Sequence, residues 1–217
     1  MAETQGILFD LDGTLVDSFP SIIIAFKEAF KILKPYAKNN INFTDDGIKK
    51  LIGSPHQETF RKICSDPKAV KNAADIFRDT RKKFKVDMID GSVDLLMFLK
   101  TKNFKLGIVT TTGRELTEKI LSDLNVQNLF EAIITGNDVS NLKPHPEPIL
   151  KALEILNLSK DGCIMAGDHP NDIMAANAAN IKSIAILYAR TKDEFMKYKP
   201  TYIVNSIGEI KNIVTKL

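Results

Sequence analysis

Two acidic residues near the N-terminus, Asp10 and Asp12, have the spacing of a catalytic pair. They follow the apolar residues 7–9, which are typical of a buried parallel strand, and they precede Gly13, which allows a sharp turn. Because residues two apart on a strand share a face, both carboxylates can point into one pocket. Two like charges this close repel unless a cation lies between them or one carboxyl holds a proton. The pair therefore predicts a metal-dependent nucleophile beside a general acid, and the alternative is a strand that ends in an Asx turn.

A run of threonines follows a second apolar segment. Thr110 ends the sequence KLGIVT, and Thr111, Thr112 and Gly113 then open a helical stretch. A hydroxyl group beside the free amides of a helix N-terminus is a ready phosphate contact, which favours Thr110 as a ligand of an anionic group. Helix capping without any function is the alternative for the same residues.

One lysine, Lys143, stands in a proline-rich segment, NLKPHPEPIL. The prolines at 144, 146 and 148 hold the chain extended before a helix, and such rigid presentation suits a fixed counter-charge. A solvated surface lysine is the alternative. We interpret the neighbouring His145 and Glu147 as structural or capping residues.

A second acidic pair, Asp168 and Asp172, follows the apolar residues 163–167. Two carboxylates at a strand end and at the start of the next helix can complete the oxygen shell of a hard divalent cation such as Mg²⁺. The alternatives are a turn residue for Asp168 and a helix cap for Asp172. Asn180, before the next strand, tolerates a left-handed backbone conformation.

Short apolar runs alternating with helical stretches position these polar residues, and this pattern is typical of βαβ units with a parallel sheet. The predicted strands are residues 7–10, 105–110, 132–136, 163–167, 183–187 and 202–204, and the predicted helices are 92–100, 115–125, 147–156 and 172–179. Ligands of doubly wound sheets bind beyond the carboxyl ends of the strands, so the polar residues above should meet at one edge.

Residues 17–88 contain no convincing strand and instead show apolar residues at helical spacing. We predict helices from about Ile22 to Leu33, from a cap at Thr44 to Gly53, and over 56–63 and 69–84. The sequence therefore predicts an α/β fold, a doubly wound, Rossmann-like parallel sheet formed by 1–16 and 89–217, with an inserted all-helical domain at 17–88.

Composition limits the partners. The net charge of +3 is too small to indicate nucleic acid binding, although residues 17–88 carry 15 Lys and Arg against 9 Asp and Glu. This basic insert could draw a phosphorylated anion towards the acidic site, or it could reflect solvated helix faces. No apolar segment is long enough to span a membrane and no signal peptide is evident, so we expect a soluble, cytoplasmic protein. Cys64 and Cys163 are expected to be free thiols.

The segment Asp10-Leu11-Asp12-Gly13-Thr14-Leu15 resembles the first motif of the haloacid dehalogenase (HAD) superfamily, most of whose members are phosphatases. Thr110 matches the second motif, Lys143 with its prolines a variant of the third, and Gly-Asp-x-x-x-Asp at Asp168 and Asp172 the fourth. All four occur in the family's order over about residues 6–180.

The resemblance implies a mechanism. Asp10 would attack a phosphomonoester to form an aspartyl-phosphate, and Asp12 would protonate the leaving alcohol and then deprotonate the hydrolytic water. Mg²⁺ would be held by Asp10, the backbone carbonyl of Asp12 and Asp168, and Asp172 would support this metal shell. Thr110 would hydrogen-bond the phosphoryl group, and Lys143 would neutralise its oxygens.

The helical insert resembles the cap of the phosphoglycolate phosphatase and β-phosphoglucomutase branch. A cap loop reaches the site in that branch, and residues 51–60 resemble it. Gly53, His56 and Gln57 are then the substrate-binding candidates. The alternative is that this segment is an ordinary turn between two helices. Thr111 stands where Asn often makes a substrate contact.

We expect a phosphatase of a small phosphorylated metabolite, such as phosphoglycolate, a sugar phosphate or a nucleotide, acting as a monomer or homodimer. A phosphomutase and a catalytically silent binding protein are the alternatives.

Overall fold

The computed structural model describes residues 5–36, 44–49 and 55–216. The chain divides into two compact units, the first formed by residues 1–17 with 87–217 and the second by residues 18–86. We call them the α/β unit and the helical unit. The domain boundaries predicted from the sequence, 17–88 for the insert, stay a prediction.

The described part of the helical unit contains four α-helices: α1 (Phe19–Leu33), α2 (Asp45–Lys49), α3 (His56–Ile63) and α4 (Pro67–Lys82). Helix α1 packs against α4 through an aromatic core in which Phe26 contacts Phe30, Phe60 and Phe77. Helix α4 begins two residues earlier than predicted, because Asp66 caps it and Pro67 fits the first helical position. Helix α2 begins after Thr44 as predicted, and its expected end at Gly53 lies outside the described residues.

The α/β unit is built on six parallel strands, which confirms the predicted fold class. The strands of the described chain are β1 (Gly6–Phe9), β2 (Val16–Asp17), β3 (Asp87–Met88), β4 (Lys105–Val109), β5 (Ala132–Ile134), β6 (Cys163–Gly167), β7 (Lys182–Ile186) and β8 (Tyr202–Val204). The sheet order is β5-β4-β1-β6-β7-β8, so β1 lies at the centre between β4 and β6. Its residues Ile7, Leu8 and Phe9 are all fully buried, which means that both faces of the sheet are covered.

A small antiparallel pair, β2 with β3, corrects one expectation. The sequence showed no convincing strand within 17–88, yet Asp17 and Asp87 are paired across this ribbon, with Val16 opposite Met88. Two residues are too few to show the alternation from which strands are recognised.

The helices of the α/β unit are α5 (Ser92–Thr101), α6 (Arg114–Asp123), α7 (Glu147–Leu156), α8 (Pro170–Ala179), α9 (Lys192–Met196) and α10 (Ile210–Val214). Helices α7 and α8 pack on the sheet and share an apolar core with β4 and β6. Asn157 and Asn180 end these two helices in the left-handed conformation, with φ of 49° and 57°. The expectation for Asn180 is thereby confirmed.

Candidate active site

The centre of the site is Asp10, the first residue after β1. Its backbone N–H donates to the carbonyl of Ala166 on β6, at 3.0 Å, and thus fixes the residue at the carboxyl end of the sheet. One carboxylate oxygen, Oδ1, accepts a hydrogen bond from the N–H of Leu11, at 2.8 Å. The side chain is buried, so an isolated negative charge here would be costly.

Lys143 offsets part of that cost. Its Nζ lies 3.0 Å from Asp10 Oδ1 and 2.6 Å from Asp172 Oδ1, and it donates to the carbonyl of Val109 at 2.7 Å. The side chain is only 3% exposed. Burial lowers the pKa of Lys143, but the charges of Asp10 and Asp172 outweigh burial and raise that pKa above its ordinary value. The lysine is therefore a fixed positive charge at the end of β4.

Three carboxylates converge beside this lysine. Asp10, Asp168 and Asp172 are all buried, and one oxygen of each lies within 4.8 Å of the others. Asp172 Oδ2 accepts from the N–H of His169 at 3.0 Å, which orients it at the start of α8. Asp168 and Asp172, which the sequence indicates as a second acidic pair, therefore lie beside Asp10 in the structure.

The carboxyl groups of this cluster resist ionisation. Burial raises the pKa of Asp10 to about 7; Lys143 opposes this effect, and the charges of Asp172 and Asp12 add to it. Burial, and then the charges of Asp10 and Asp172, raise the pKa of Asp168 well above its ordinary value. Buried oxygen ligands with excess negative charge are the chemistry that a hard divalent cation stabilises, so these residues fit a magnesium ion.

Thr14 is a site residue to which sequence reasoning gave no role. Its hydroxyl donates to Asp168 Oδ1 at 2.7 Å and accepts from the N–H of Asp168 at 3.1 Å. The side chain is fully buried. The first bond orients the carboxylate of Asp168, and the second fixes the Thr14 hydroxyl against the backbone of the same residue. Its only sequence signal was its place in the Asp-Gly-Thr turn, since the partner lies 154 residues away.

The threonines after β4 approach Asp12. Thr112 donates its hydroxyl to Asp12 Oδ2, and Thr110 Oγ1 accepts from the N–H of Thr112 at 3.1 Å. Thr110 is buried, whereas Asp12 is half-buried. The structure therefore brings Thr110 and Asp12 to the same end of the sheet. Sequence reasoning misses the contact of Thr112, because its partner Asp12 lies 100 residues away along the chain.

The remaining sequence candidates have other contacts or lie outside the described residues. His56 stacks on Phe77 in the helical unit, with ring centroids 4.5 Å apart, and burial lowers its pKa to about 4. Gln57 is exposed and Thr111 is half-buried. Gly53 lies outside the described residues. Substrate contact by these four residues stays a prediction.

Two histidines near the site act in local structure. His145 Nδ1 accepts from the N–H of Glu147 at 3.2 Å, and Glu147 accepts from the N–H of Ser140 at 2.7 Å. Both contacts are local and structural, in line with the interpretation of these two residues as structural or capping: His145 bonds the first residue of α7, and Glu147 bonds the loop that precedes this helix. His169 caps α8 by accepting from the N–H of Asn171 at 3.1 Å, and burial lowers the pKa of His169 to about 4.

Both cysteines are free and buried, as expected. None of the described helices combines the length and the apolar composition that crossing a membrane requires.

Comparison with known proteins covers almost the whole chain. The family model for haloacid dehalogenase-like hydrolases matches residues 7–186. The chain is 33% identical over 216 residues to the pyrophosphatase PpaX of Oceanobacillus iheyensis, covering 96% of this chain and 95% of that protein. It is 32% identical over 223 residues to the phosphoglycolate phosphatase of Colwellia psychrerythraea, covering 97% and 96%. The crystal structure of a predicted phosphatase from Clostridium acetobutylicum, 28% identical, matches with a TM-score of 0.85 and covers 100% of both chains.

Proposed function

The chain belongs to the family of haloacid dehalogenase-like hydrolases, and from that premise we propose that it is a magnesium-dependent phosphatase of a small phosphorylated metabolite. The observation that carries the proposal is the buried group formed by Asp10, Asp168, Asp172 and Lys143 at the carboxyl end of the sheet. Such a group combines a nucleophile, a cation site and a fixed positive charge in one pocket.

Asp10 is the proposed nucleophile. One of its carboxylate oxygens attacks the phosphorus in line with the leaving oxygen, so that the phosphorus–oxygen bond of the ester breaks as the aspartyl-phosphate forms. Asp12 donates its proton to the departing alcohol. It then takes a proton from the water that attacks the aspartyl-phosphate, which releases inorganic phosphate and restores Asp10. The contact with Thr112 supports this assignment, because it orients Asp12.

The phosphoryl oxygens carry negative charge throughout the transfer. We assign to Lys143, whose Nζ lies 3.0 Å from Asp10 Oδ1, the neutralisation of part of this charge, and to the buried hydroxyl of Thr110 a hydrogen bond donated to the phosphoryl group. Both side chains are buried, so their interactions with a bound phosphate would be little screened by water.

Magnesium would be held by Asp10, Asp168 and the backbone carbonyl of Asp12, with Asp172 in support. When bound, the ion supplies positive charge to the nucleophile and to the phosphoryl group. Thr14 and His169 support this assignment, because their hydrogen bonds hold Asp168 and Asp172 with oxygens directed at Asp10.

The helical unit is the proposed source of substrate selectivity. We assign to it the role of a cap domain over residues 17–88, with Gly53, His56 and Gln57 as substrate contacts and Thr111 as their counterpart on the α/β unit. Caps of this kind exclude water and select small substrates. The family match and the helical character of the described part of this unit support the proposal.

The names of the relatives divide the candidate substrates into two groups. The phosphoglycolate phosphatase supports a phosphomonoester, whereas the pyrophosphatase supports inorganic pyrophosphate as a second candidate. The chemistry of Asp10 is the same for both, because a phosphate replaces the alcohol as the leaving group.

The test is phosphate release from pyrophosphate, phosphoglycolate, sugar phosphates and nucleotides, with and without magnesium. We expect magnesium-dependent release from one or two of these compounds. The Asp10→Asn variant should lose turnover while remaining folded, because the amide is a poor nucleophile.

Asp161→Asn is the matched control, since Asp161 is an exposed aspartate and should retain full activity. Retained turnover in Asp10→Asn would contradict the nucleophile assignment. Isomerisation of glucose 1-phosphate without phosphate release would favour the mutase, and a complete lack of activity would favour the silent binding protein.

A further inference from the structure

Two loops of the α/β unit carry the groups proposed to bind the phosphoryl group. The loop after β4 carries Thr110, and the loop after β5, residues 135–146, carries Lys143. Their backbones are in close contact. The N–H of Thr110 donates to the carbonyl of Ile134 at 2.9 Å, and the N–H of Gly136 donates to the carbonyl of Thr112 at 3.0 Å. A Cβ atom on Gly136 would lie only 2.6 Å from the carbonyl oxygen of Thr111. The loops are thus joined at their beginnings.

Asp138 extends this connection beyond the backbone. Its Oδ2 accepts from the N–H of Thr135 at 2.8 Å and from the hydroxyl of the same residue at 2.7 Å. The same oxygen forms an ion pair with Nη2 of Arg114, the first residue of α6. Arg114 also donates its backbone N–H to Asn137 Oδ1 at 2.9 Å and a guanidinium N–H to the carbonyl of Ile133 at 3.2 Å. Four hydrogen bonds therefore link the Asp138–Arg114 pair to β5 and to the loop that follows it.

The following residues of the loop are fixed from α7. Lys151 donates to the carbonyl of Asp138 at 2.7 Å. Glu147 accepts from the N–H groups of Ser140, at 2.7 Å, and Asn141, at 2.9 Å. The loop is therefore anchored from Thr135 to Asn141, two residues before Lys143.

We propose that Asp138, through its ion pair with Arg114, is a positioning residue that holds the Lys143 loop in register with the Thr110 loop. The inference rests on the proposed phosphatase function. Asp138 is not a catalytic residue, because the contacts described above join its carboxylate to Thr135 and to Arg114 of α6, and its carbonyl to Lys151 of α7, rather than to the carboxylate cluster. Its effect is on geometry: Lys143 must keep its 3.0 Å contact with Asp10, and displacement of a catalytic group by about 1 Å can cost about 100-fold in rate.

Partial exposure separates this role from a contribution to global stability. The side chain of Arg114 is 40% exposed and that of Asp138 is 19% exposed. Ion pairs at such positions contribute at most about 1 kcal/mol to folding. Loss of the pair is therefore expected to disturb the loop while the unit remains folded.

Glu118 provides a matched control within the same network. It pairs with Nη1 of Arg114 at 2.9 Å, but it lies one turn further along α6. Asp138→Asn and Glu118→Gln each remove one negatively charged partner of Arg114. Only Asp138→Asn also removes a contact to the Lys143 loop.

The experiment measures kcat and KM with p-nitrophenyl phosphate and magnesium, together with amide hydrogen exchange of residues 139–143. We expect Asp138→Asn to lower kcat about 10- to 100-fold with little change in KM, and Glu118→Gln to remain near wild type. In a Lys143→Ala background, Asp138→Asn should lower kcat by less than about twofold, because the group that it positions is already absent. Exchange at 139–143 should accelerate in Asp138→Asn only.

Equal effects of the two variants, or additive effects of Asp138→Asn and Lys143→Ala, would overturn the proposal. Unchanged exchange in Asp138→Asn would also overturn it, whatever the activity. If the wild type hydrolyses nothing but exchange still accelerates in Asp138→Asn alone, the phosphatase function fails while the positioning of the loop stands. Thermal unfolding of both variants tests for a general loss of structure. Such a loss in Asp138→Asn would overturn the proposal, because the lower rate would then not be specific to the Lys143 loop.

Discussion

Lys143 explains how several acidic side chains coexist in one buried pocket. Burial of an isolated carboxylate costs several kcal/mol, and a single ammonium group pairs here with two carboxylates, those of Asp10 and Asp172. The charge of one lysine does not balance Asp10, Asp168 and Asp172 together. Lys143 thus reduces the repulsion among the three carboxylates, and the excess negative charge that remains favours the binding of a cation.

Thr14 is expected to control how well Asp168 holds a cation. We predict that Thr14→Val raises the magnesium concentration for half-maximal activity by about tenfold or more, because loss of a hydrogen bond to a metal-binding carboxylate commonly has an effect of that size. The measurement is a magnesium titration of phosphate release from the substrate identified in the panel.

Thr14→Ser is the control, since it keeps the hydroxyl group that donates to Asp168 Oδ1. It should require nearly the wild-type magnesium concentration. A Thr14→Val variant with an unchanged magnesium requirement would contradict the orienting role.

The distance along the chain between partners decides which site residues could be found in the sequence. Asp10 with Asp12, and Asp168 with Asp172, are pairs at short spacing, so their roles could be predicted before the structure. The hydroxyl partner of Asp168 lies 154 residues away, and that of Asp12 lies 100 residues away. Contacts of this kind depend on which strands are neighbours in the sheet, and a single sequence does not reveal that.

At the scale of elements, Gly167 at the end of β6 sets the distance between this strand and α8. A Cβ atom at this position would lie 2.2 Å from Asp172 Oδ2 and 2.6 Å from Asp172 Cβ. Asp172 is fully buried and paired with Lys143, so it has little room to move. We predict that Gly167→Ala reduces activity at least about tenfold and destabilises the fold by about 1–3 kcal/mol.

Gly208 offers the comparison for this prediction. The nearest atom to a Cβ there is Ser206 Oγ at 4.0 Å, which leaves ordinary space. Gly208→Ala should therefore change neither activity nor the urea midpoint, whereas Gly167→Ala should change both. Equal behaviour of the two variants would contradict the close approach of β6 and Asp172.

The six strands of the parallel sheet were predictable because their apolar runs are bounded by turn residues. Predicted and observed bounds differ by no more than two residues, for example 132–136 against Ala132–Ile134 for β5. The elements that were missed are short: the β2–β3 ribbon and the five-residue helices α9 and α10. A helix of five residues spans little more than one turn, so its apolar positions do not establish a period.

His56, at the start of α3, makes the helical unit sensitive to acid. Burial lowers the pKa of His56 to about 4, whereas the unfolded chain has the ordinary value near 6.5. Between these values the unfolded chain binds more protons, so the free energy of unfolding falls as the pH decreases from about 6.5 to 4. The total loss attributable to this group is about 3 kcal/mol. His56→Leu should remove it, because leucine is apolar and similar in size.

The measurement is urea unfolding of wild type and variant between pH 4 and pH 7. His145→Gln is the control, because His145 is exposed and its replacement should preserve the acid sensitivity. If the free energy of unfolding of His56→Leu falls with decreasing pH as steeply as that of the wild type, the imidazole of His56 is not the cause of the acid sensitivity.

At the scale of the whole molecule, charge is distributed unevenly along the chain. Residues 17–88 carry 15 Lys and Arg against 9 Asp and Glu, whereas the rest of the chain carries 15 against 18. The acidic part includes the buried carboxylate cluster, so binding of a divalent cation should raise the unfolding temperature of the α/β unit, to which the cluster belongs.

We predict that magnesium raises the unfolding temperature of the wild type, because the ion binds the folded cluster and has no equivalent site in the unfolded chain. At a magnesium concentration tenfold above the dissociation constant, the gain is about 1.4 kcal/mol. For a chain of this length, that corresponds to about 3–6 °C.

Asp168→Asn should abolish the shift, since it removes one of the three converging carboxylates. Asp161→Asn, which changes an exposed aspartate, should retain the shift, and sodium chloride at equal ionic strength should not produce it. A shift of equal size in Asp168→Asn would mean that magnesium stabilises the protein at some other place, and the cluster would then lose its proposed role as the cation site.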